Sequence, residues 1–540
     1  MSIQLVILLV ISVVNAQNNT SLFELNIIHY NDFHAHFDEI LPNGSPCNPT
    51  IGDCIGGFSR LYSAIRQAME DEPDSLLLNG GDTFQGTIWY NFLRWNVSQH
   101  FMNMLPHDAH VLGNHEFDNG IDGLVPYLER LESPMLGANV NTTFEPEIAP
   151  YVKNHVVVQR NERKIGIIGV LLRTFSAPSR RIIMEDELEA INREADILAE
   201  QGVDIIIVLS HVGYYTDMSL AERMSPNVDI IVGGHTHTLL YTGETPDGSR
   251  PAGDYPTVVT QANGHRIPIV QAAAHTRYLG NIKLFIDEAG RVVSWQGQPI
   301  YLGTSIVKDP YVESQLQPWR QVVDAVGKEV LGRTLVPLRA DCNRGECNMG
   351  SWACDGLIDE TVEYAKADAW GAVNVCMMNA GGVRAHLQPG DITTEALLMV
   401  FPYENHMQVF DLKGEYLLEA LEHSVGVPQT NATNFFSSRL LQIGGLRMVV
   451  NATAPVGARV SAAVRCVRCA VPRYEPLQRD AVYRILTLSY IGDGGGGYTM
   501  VSQNRKNLVT LDVDYVMLQR YMRRHRTFFK DMDGRIQIVY

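Results

Sequence analysis

Five short stretches in the first half of the chain combine aspartate, histidine and asparagine at close spacing: DFH, GGDTFQG, GNHEFD, SHVG and GGHTH. They supply seven oxygen or nitrogen donors, namely Asp32, His34, Asp82, Asn114, His211, His235 and His237. Donors of these types, with no cysteine among them, suit two divalent ions such as zinc, manganese or iron that share one bridging carboxylate. The pattern therefore predicts a dinuclear metal site.

Aliphatic runs precede these donors and predict the strands that position them. The runs are FELNIIHYND, DSLLLNGGD, HVLGNHE, KIGIIGV, VDIIIVLSH and VDIIVGGHT, with helix-like segments between them. Continuous apolar runs of this length are typical of strands buried on both faces in an α/β fold. Because ligands of open α/β sheets bind at the carboxyl ends of the strands, we expect the polar run ends to converge.

Two donor pairs have the spacing of residues on one face of a strand. One residue separates Asp32 from His34, and one separates His235 from His237, so we expect each pair to point to the same side. A single histidine near a strand end is more often a satisfied structural residue than a ligand, because one polar residue is only a weak pointer to a site. The prediction of a metal site therefore depends on all seven donors occurring together, in this order along the chain.

Composition limits the class of protein and of partner. The chain has 540 residues, 45% of them hydrophobic, which predicts two or three domains with large cores. Its formal net charge of -17 argues against nucleic acid or an anionic membrane surface as a general partner. A small anionic substrate remains compatible with this charge where cations are placed locally.

The two ends of the chain predict a secreted protein without a membrane anchor. Residues 1–16 contain an apolar stretch from Leu5 to Val14 and the small-residue ending of a signal peptide. The alternative for this stretch is a buried first strand or an anchor. After Arg505 there is no apolar tail long enough for a lipid-anchor signal or a spanning helix.

Cysteine and asparagine usage fits an extracellular compartment. The eight cysteines form the near pairs Cys47 with Cys54, Cys342 with Cys347 and Cys466 with Cys469, and leave Cys354 with Cys376 as a longer pair. Acceptor triplets for N-linked glycosylation begin at Asn18, Asn19, Asn43, Asn96, Asn141, Asn431 and Asn451.

A helical segment predicts where one domain ends and the next begins. Asp309 followed by Pro310 is typical of a helix N-terminus. An apolar stripe at alternating spacings follows, formed by Val312, Leu316, Trp319, Val323, Val326 and Val330. We therefore predict a first domain at 17–307, a linking helix at 308–335 and a second domain at 336–540.

The five donor motifs resemble those of the calcineurin-like metallophosphoesterases. In the second half, CNRGECNMG, NAGGVR, FPYENHM and GDGGGGY narrow the resemblance to the 5′-nucleotidase family, which includes ecto-5′-nucleotidases and secreted arthropod apyrases. The resemblance covers nearly the whole chain after residue 16. It implies an N-terminal metallophosphoesterase β-sandwich flanked by helices, the linking helix and a C-terminal α/β nucleotide-binding domain.

The resemblance also divides the donors between two ions. It implies that Asp32, His34, Asp82 and His237 hold the first ion, and that Asp82 bridges to a second held also by Asn114, His211 and His235. It implies zinc ahead of manganese, calcium or magnesium. His115 then faces the phosphate as a catalytic residue, with Asp118 holding its ring, whereas Glu116 receives no ligand role.

Residues of the second domain are implied as substrate contacts. Asn379 and Arg384 match the family's phosphate-side positions, and Tyr403 and Tyr490 match two rings that sandwich the base. The family commonly has arginine where Asn343 stands, so we expect Arg344 to supply that contact. It also has an aspartate where Gly496 stands, so we expect Asp493 to replace it, or else recognition of the sugar to be loose.

The resemblance implies an apyrase that hydrolyses ATP and ADP to AMP and phosphate, and thereby suppresses ADP-dependent platelet aggregation during blood feeding. The alternative is a 5′-nucleotidase that converts AMP to adenosine. A protein that only binds nucleotides or a host protein is a third interpretation, but it predicts losses among the donors or in the pair His115 and Asp118, and none is lost. The sequence does not determine the oligomeric state.

Overall fold

The computed structural model describes residues 22–50, 52–173, 179, 181–366, 369–426 and 437–540. The predicted signal peptide at 1–16 lies outside these ranges, as do the acceptors Asn18, Asn19 and Asn431. Of the remaining acceptors, Asn43, Asn96 and Asn451 are exposed and Asn141 is half-buried.

The first half of the chain alternates strands with helices. Its strands are β1 (Phe23–Tyr30), β2 (Leu76–Asn79), β3 (Ala109–Val111), β4 (Met135–Leu136), β5 (Val140–Asn141), β6 (Val152–Lys153), β7 (His155–Arg160), β8 (Arg163–Leu171), β9 (Ile183–Met184), β10 (Ile205–His211), β11 (Ile230–Gly233), β12 (Thr257–Thr260), β13 (Arg266–Val270), β14 (Tyr278–Ile286), β15 (Val292–Gly297) and β16 (Ile300–Tyr301). Its helices are α1 (Phe58–Asp71), α2 (Ile88–Met102), α3 (Gly120–Leu128), α4 (Glu187–Glu200) and α5 (Tyr214–Ala221).

Most of these strands form two sheets that share a core, while β5 and β9 pair with each other separately. One sheet has the order β15-β14-β1-β2-β3-β4-β6, and the other has the order β12-β13-β11-β10-β8-β7. Leu25 and Leu76 of the first sheet pack in one buried cluster with Ile167 and Ile207 of the second. On its other face the first sheet packs against α1 and α2. The predicted β-sandwich flanked by helices is therefore confirmed.

Parallel strands bring the polar run ends to one edge of the sandwich. β1, β2 and β3 run parallel in one sheet, as do β8, β10 and β11 in the other. Nδ1 of His211, the last residue of β10, lies 2.7 Å from the carbonyl oxygen of Gly80, which follows β2. The ends of the two sheets therefore meet, as the sequence predicts.

The second half forms an α/β domain. Its strands are β17 (Val330–Thr334), β18 (Val375–Asn379), β19 (Gly390–Thr393), β20 (His406–Lys413), β21 (Leu441–Gly444), β22 (Leu446–Asn451), β23 (Val460–Arg465), β24 (Tyr474–Pro476), β25 (Val482–Leu488), β26 (Lys506–Val513), β27 (Thr527–Phe528) and β28 (Ile536–Val539). With α6 (Pro310–Gly327) preceding them, the helices are α7 (Asn348–Asp359), α8 (Thr394–Val400), α9 (Gly414–Ser424), α10 (Ser489–Gly492), α11 (Thr499–Asn504) and α12 (Asp514–His525). A sheet of order β21-β18-β25-β20-β26 forms the centre of this domain.

The linking helix is shorter than the predicted segment 308–335. Asp309 caps α6 by accepting hydrogen bonds from the backbone of Tyr311 and Val312 at 2.8 and 3.0 Å. The prediction that the apolar stripe of the helix reaches Val330 was wrong, because the helix ends at Gly327 and Val330 begins a strand. Strand pairing overrides the helical spacing there, since β17 bonds to β19 and β27 of the second domain.

The four predicted cysteine pairs are all disulfides: Cys47–Cys54, Cys342–Cys347, Cys354–Cys376 and Cys466–Cys469. In the described ranges, none of the helices combines the length and the apolar composition needed to cross a membrane.

Candidate metal centre and substrate cleft

The first group of predicted donors lies beyond the ends of β1 and β11. Nε2 of His34 lies 3.1 Å from Nε2 of His237 and 3.8 Å from Oδ1 of Asp32. The same carboxylate oxygen is 3.3 Å from Nε2 of His237. Two imidazole nitrogens and a carboxylate oxygen at this spacing are the donors that a divalent transition ion prefers.

Asp82 connects this group to the second one. Its Oδ2 lies 3.7 Å from Nε2 of His34 and 3.1 Å from Nε2 of His211. Nδ1 of His235 lies 2.9 Å from Oδ1 of Asn114. Asp82, His211 and His235 each offer a ligand atom within 4.8 Å of the other two. The fold therefore brings all seven predicted donors together, with Asp82 between the two groups.

Two buried atoms support the fit of this donor set to cations. Oδ1 of Asp32 and Nε2 of His211 are buried and have no hydrogen-bond partner within the described part of the chain. Buried polar atoms nearly always have a partner. Oδ1 of Asp32 faces Nε2 of His237, and Nε2 of His211 faces Oδ2 of Asp82, so one cation in each group would satisfy each of these atoms.

The backbone of the donors shows why their side chains meet. Left-handed φ angles, from 49° to 73°, occur at Asp32, His34, Asp82, His235 and His237. Such angles cost non-glycine residues about 1–3 kcal/mol each and persist at functional sites where the surroundings fix them. The expectation that each close pair shares one face of a strand was wrong, because both pairs lie in these loops after the strands end.

Glu116 links the two central loops, a role that sequence reasoning missed and that its position two residues after Asn114 could have signalled. Its carboxylate accepts hydrogen bonds from the backbone N–H groups of Gly113, Asp82, Thr83 and Phe84, at 2.6, 3.1, 2.7 and 3.2 Å. The side chain is buried. Glu116 therefore fixes the loop after β3 against the loop that carries Asp82.

His115 and Asp118 form the predicted pair. Nδ1 of His115 lies 2.8 Å from Oδ2 of Asp118, and the backbone N–H of His115 donates to Oδ1 of Asp82 at 3.0 Å. Burial lowers the pKa of His115, but the negative charges of Asp118 and Asp82 outweigh burial and raise it to about 9. A protonated imidazole in this place can stabilise negative charge on a phosphoryl group.

Two side chains of the second domain, Arg384 and Tyr403, lie next to residues of this centre. The guanidinium of Arg384 lies 5.8 Å from the ring centroid of Tyr403, and its Nη2 is 3.4 Å from Nε2 of His237. Tyr403 stacks on His115 with ring centroids 5.1 Å apart. Asn379 ends β18 directly before the turn that leads to Arg384. The cleft between the domains is therefore lined by groups from both.

The remaining predicted substrate contacts are exposed to solvent. Tyr490 follows β25 and is half-exposed. Arg344 is exposed, and in the described ranges its guanidinium makes no hydrogen bond or ion pair. The carboxylate of Asp493 lies 2.7 Å from Nη2 of Arg505 and accepts a hydrogen bond from Gln408 at 3.2 Å. Roles for Arg344 and Asp493 in binding substrate stay predictions.

Comparisons with known proteins agree with this architecture. Residues 25–239 match the family model of the calcineurin-like phosphoesterases, and residues 330–503 match that of the 5′-nucleotidase C-terminal domain. An apyrase of Tabanus yao is 39% identical over 532 residues, which cover 97% of this chain and 95% of that protein. A 5′-nucleotidase of Bos taurus is 36% identical over 528 residues, which cover 95% of this chain and 91% of that protein.

A solved structure extends the agreement to the fold. The 5′-nucleotidase precursor of Thermus thermophilus superposes with a TM-score of 0.87 at 30% identity, covering 96% of this chain and 99% of that one. Both halves of the chain thus match the same family of enzymes. The chain belongs to the 5′-nucleotidase family of calcineurin-like phosphoesterases and is a metal-dependent nucleotide phosphohydrolase.

Proposed function

We propose that the protein is a secreted apyrase that hydrolyses ATP and ADP to AMP and phosphate. The observation that carries the proposal is the approach of Arg384 to the metal donors, with its Nη2 3.4 Å from His237. A terminal phosphate bound in this cleft would meet the donors of the first domain and the guanidinium fork of the second.

The proposal assigns each predicted residue a task. Asp32, His34, Asp82 and His237 hold one ion, and Asp82, Asn114, His211 and His235 hold the other, with zinc as the first expectation and manganese, calcium or magnesium as alternatives. When bound, such a pair of ions polarises the phosphoryl oxygens and supplies hydroxide at neutral pH.

The other side chains bind the nucleotide and stabilise charge. Asp118 keeps His115 protonated, so that the imidazole can stabilise negative charge on the transferred phosphoryl group and on the phosphate oxygen of the leaving AMP. Arg384 and Asn379 bind the phosphates, and Tyr403 and Tyr490 stack on the base. We also assign Arg344 to a phosphate contact. Asp493 would bind the sugar only by leaving its ion pair with Arg505, and recognition of the sugar is otherwise loose.

Leaving-group chemistry and the apyrase relative support hydrolysis of ADP. Cleavage of ADP expels AMP through a phosphate oxygen, which is a good leaving group, whereas cleavage of AMP expels a ribose alkoxide that needs more assistance from an acid or an ion. The similarity to 5′-nucleotidases supports a second candidate, conversion of AMP to adenosine. For the apyrase, we further propose secretion and a role in removing ADP during blood feeding, which would suppress platelet aggregation.

Phosphate release from ATP, ADP and AMP, measured side by side with and without a chelator, tests the proposal. We expect release from ATP and ADP that the chelator abolishes and that Asp82→Asn lacks. Release from AMP alone would establish the second candidate. A chain that binds two ions and nucleotide without any release would be a non-catalytic binder.

A further inference from the structure

Two histidines outside the predicted donor set lie against its first group. The ring centroid of His275 is 5.1 Å from that of His237 and 5.5 Å from that of His34. The ring of His36 stacks on His275, with centroids 4.1 Å apart and an interplanar angle of 14°. His34, His237 and His275 each offer a nitrogen within 4.8 Å of the other two.

The backbone fixes His275 next to the donors. Its N–H donates to the carbonyl oxygen of Asp32 at 2.9 Å. Nδ2 of Asn31 donates to the carbonyl oxygen of Ala273 and to Oδ2 of Asp32, both at 2.6 Å. The φ of His275 is 58°, the same left-handed region that the predicted donors occupy. One hydrogen-bonded unit therefore positions both His275 and Asp32, and strain of this kind is found where function requires it.

His36 supports the ring of His275 from the opposite side. Nδ1 of His36 lies 3.0 Å from the carbonyl oxygen of Phe33, so this nitrogen donates and the plane of the ring is fixed. A small cavity adjoins the two rings, bounded also by His34, Arg384, Met399 and Tyr403. The ring of His275 therefore lies beside His34 and His237 and also lines this cavity.

We propose that His275 is a further nitrogen ligand of the ion held by Asp32, His34 and His237, and that His36 is a positioning residue for its ring. The inference rests on the metal site of the proposed function and extends it. Three imidazoles at one position favour a borderline ion such as zinc over calcium or magnesium, which prefer oxygen ligands. The site formed by Asp32, His34, His237 and His275 would then select a transition ion over calcium or magnesium.

The full-length chain with His275→Phe tests the assignment, and His36→Phe is the matched control because it keeps a stacked aromatic ring. Metal-free protein is titrated with zinc against a competing chelator, and with cobalt while visible absorption is recorded. Loss of partners outside the coordination sphere already costs about 10- to 100-fold in metal affinity. We expect His275→Phe to weaken binding of one zinc ion by at least that factor and to alter the cobalt spectrum. His36→Phe keeps a stacked ring but loses the hydrogen bond to Phe33, so it should cause a smaller loss of zinc affinity and a smaller spectral change.

Each outcome decides the inference. Unchanged zinc affinity and an unchanged cobalt spectrum in His275→Phe would overturn it, and so would unchanged metal binding with a raised KM, which identifies a phosphate contact instead. If wild-type protein binds no divalent ion, the metal site of the proposed function fails as well. If His275→Phe does not fold, His275→Gly provides the same comparison, because glycine tolerates a left-handed φ and offers no side-chain ligand atom.

Discussion

The imidazole of His115 lies parallel to the phenol ring of Tyr403, with ring centroids 5.1 Å apart and an interplanar angle of 7°. His115 belongs to the first domain, and Tyr403 lies in the second domain between α8 and β20. Next to Tyr403, Glu404 forms a second contact between the domains, an ion pair with Arg94 in which Nη2 and Oε2 are 2.8 Å apart. His115, which we propose faces the phosphate, is thus packed against a ring of the second domain.

Truncating Tyr403 should weaken nucleotide binding. Stacking on an aromatic ring contributes about 1–3 kcal/mol per base, so we expect Tyr403→Ala to raise the KM for ADP roughly 5- to 150-fold. Tyr403→Phe keeps the ring and should stay close to wild type. Steady-state kinetics of both variants decide, and equal KM values for Tyr403→Ala and wild type would remove Tyr403 from the binding site.

Removing the carboxylate of Asp118 should impair catalysis without loss of metal. Asp118 is a main cause of the raised pKa of His115, which keeps the imidazole protonated through neutral pH. Asp118→Asn should therefore lower kcat by about 10²- to 10⁴-fold and move the optimum for the remaining activity to lower pH. A pH profile of kcat, with metal content measured in parallel, checks both effects. A profile like that of wild type would exclude Asp118 as the partner that matters.

Replacing Glu116 should lower the stability of the protein and weaken metal binding. Glu116→Ala leaves four backbone N–H groups without their carboxylate. Each unsatisfied buried group costs about 1–3 kcal/mol, so we expect a marked fall in the unfolding temperature and weaker binding of both ions. Calorimetry and metal titration measure these effects. As a control, Glu129→Ala removes an exposed carboxylate paired with Arg130 and should leave both properties unchanged.

Recognition of the sugar hydroxyls should be loose. Gly496 has no side chain for the ribose, and the carboxylate of Asp493 is paired with Arg505 at 2.7 Å. We therefore expect 2′,3′-dideoxy-ADP to be hydrolysed at nearly the rate of ADP, and Asp493→Ala to change this ratio little. A hundredfold or greater loss with the dideoxy analogue would show that the hydroxyl groups are recognised after all.

Stability should fall with rising pH through Asp229. Burial raises the pKa of this carboxyl to about 8, with Asp287 adding to the effect, whereas the unfolded value is near 4. The folded state therefore keeps a proton that the unfolded state loses, and the resulting stabilisation declines as pH rises from about 4 to 8.

Asp229→Asn removes this titration and can keep the hydrogen bond that Oδ2 accepts from the backbone of Ile206. The unfolding temperature of the variant should gain on that of wild type between pH 5 and pH 8. Asp480→Asn, at a side chain that is 98% exposed, is the control. An equal difference at both pH values would contradict the prediction.

Local patterns in the sequence were sufficient for the outline of the fold. Aliphatic runs predicted β1, β2, β3, β8, β10 and β11, because strands buried on both faces need continuous apolar residues. The donor motifs after these runs predicted which side chains would meet. Cysteines only a few residues apart predicted their own partners, since a short loop brings them together at little entropic cost.

The tertiary structure alone decided the details of the site. Left-handed φ angles place Asp32 and His34 correctly, and hydrogen bonds between separate loops impose those angles, so a strand-face argument failed. Three contacts could not be predicted from local spacing. His115 stacks on Tyr403, Glu116 accepts hydrogen bonds from the loop that carries Asp82, and His275 lies beside His34. Spacing determines which residues can share an element, whereas contacts between elements depend on how sheets and domains pack, and that is set by the whole chain at once.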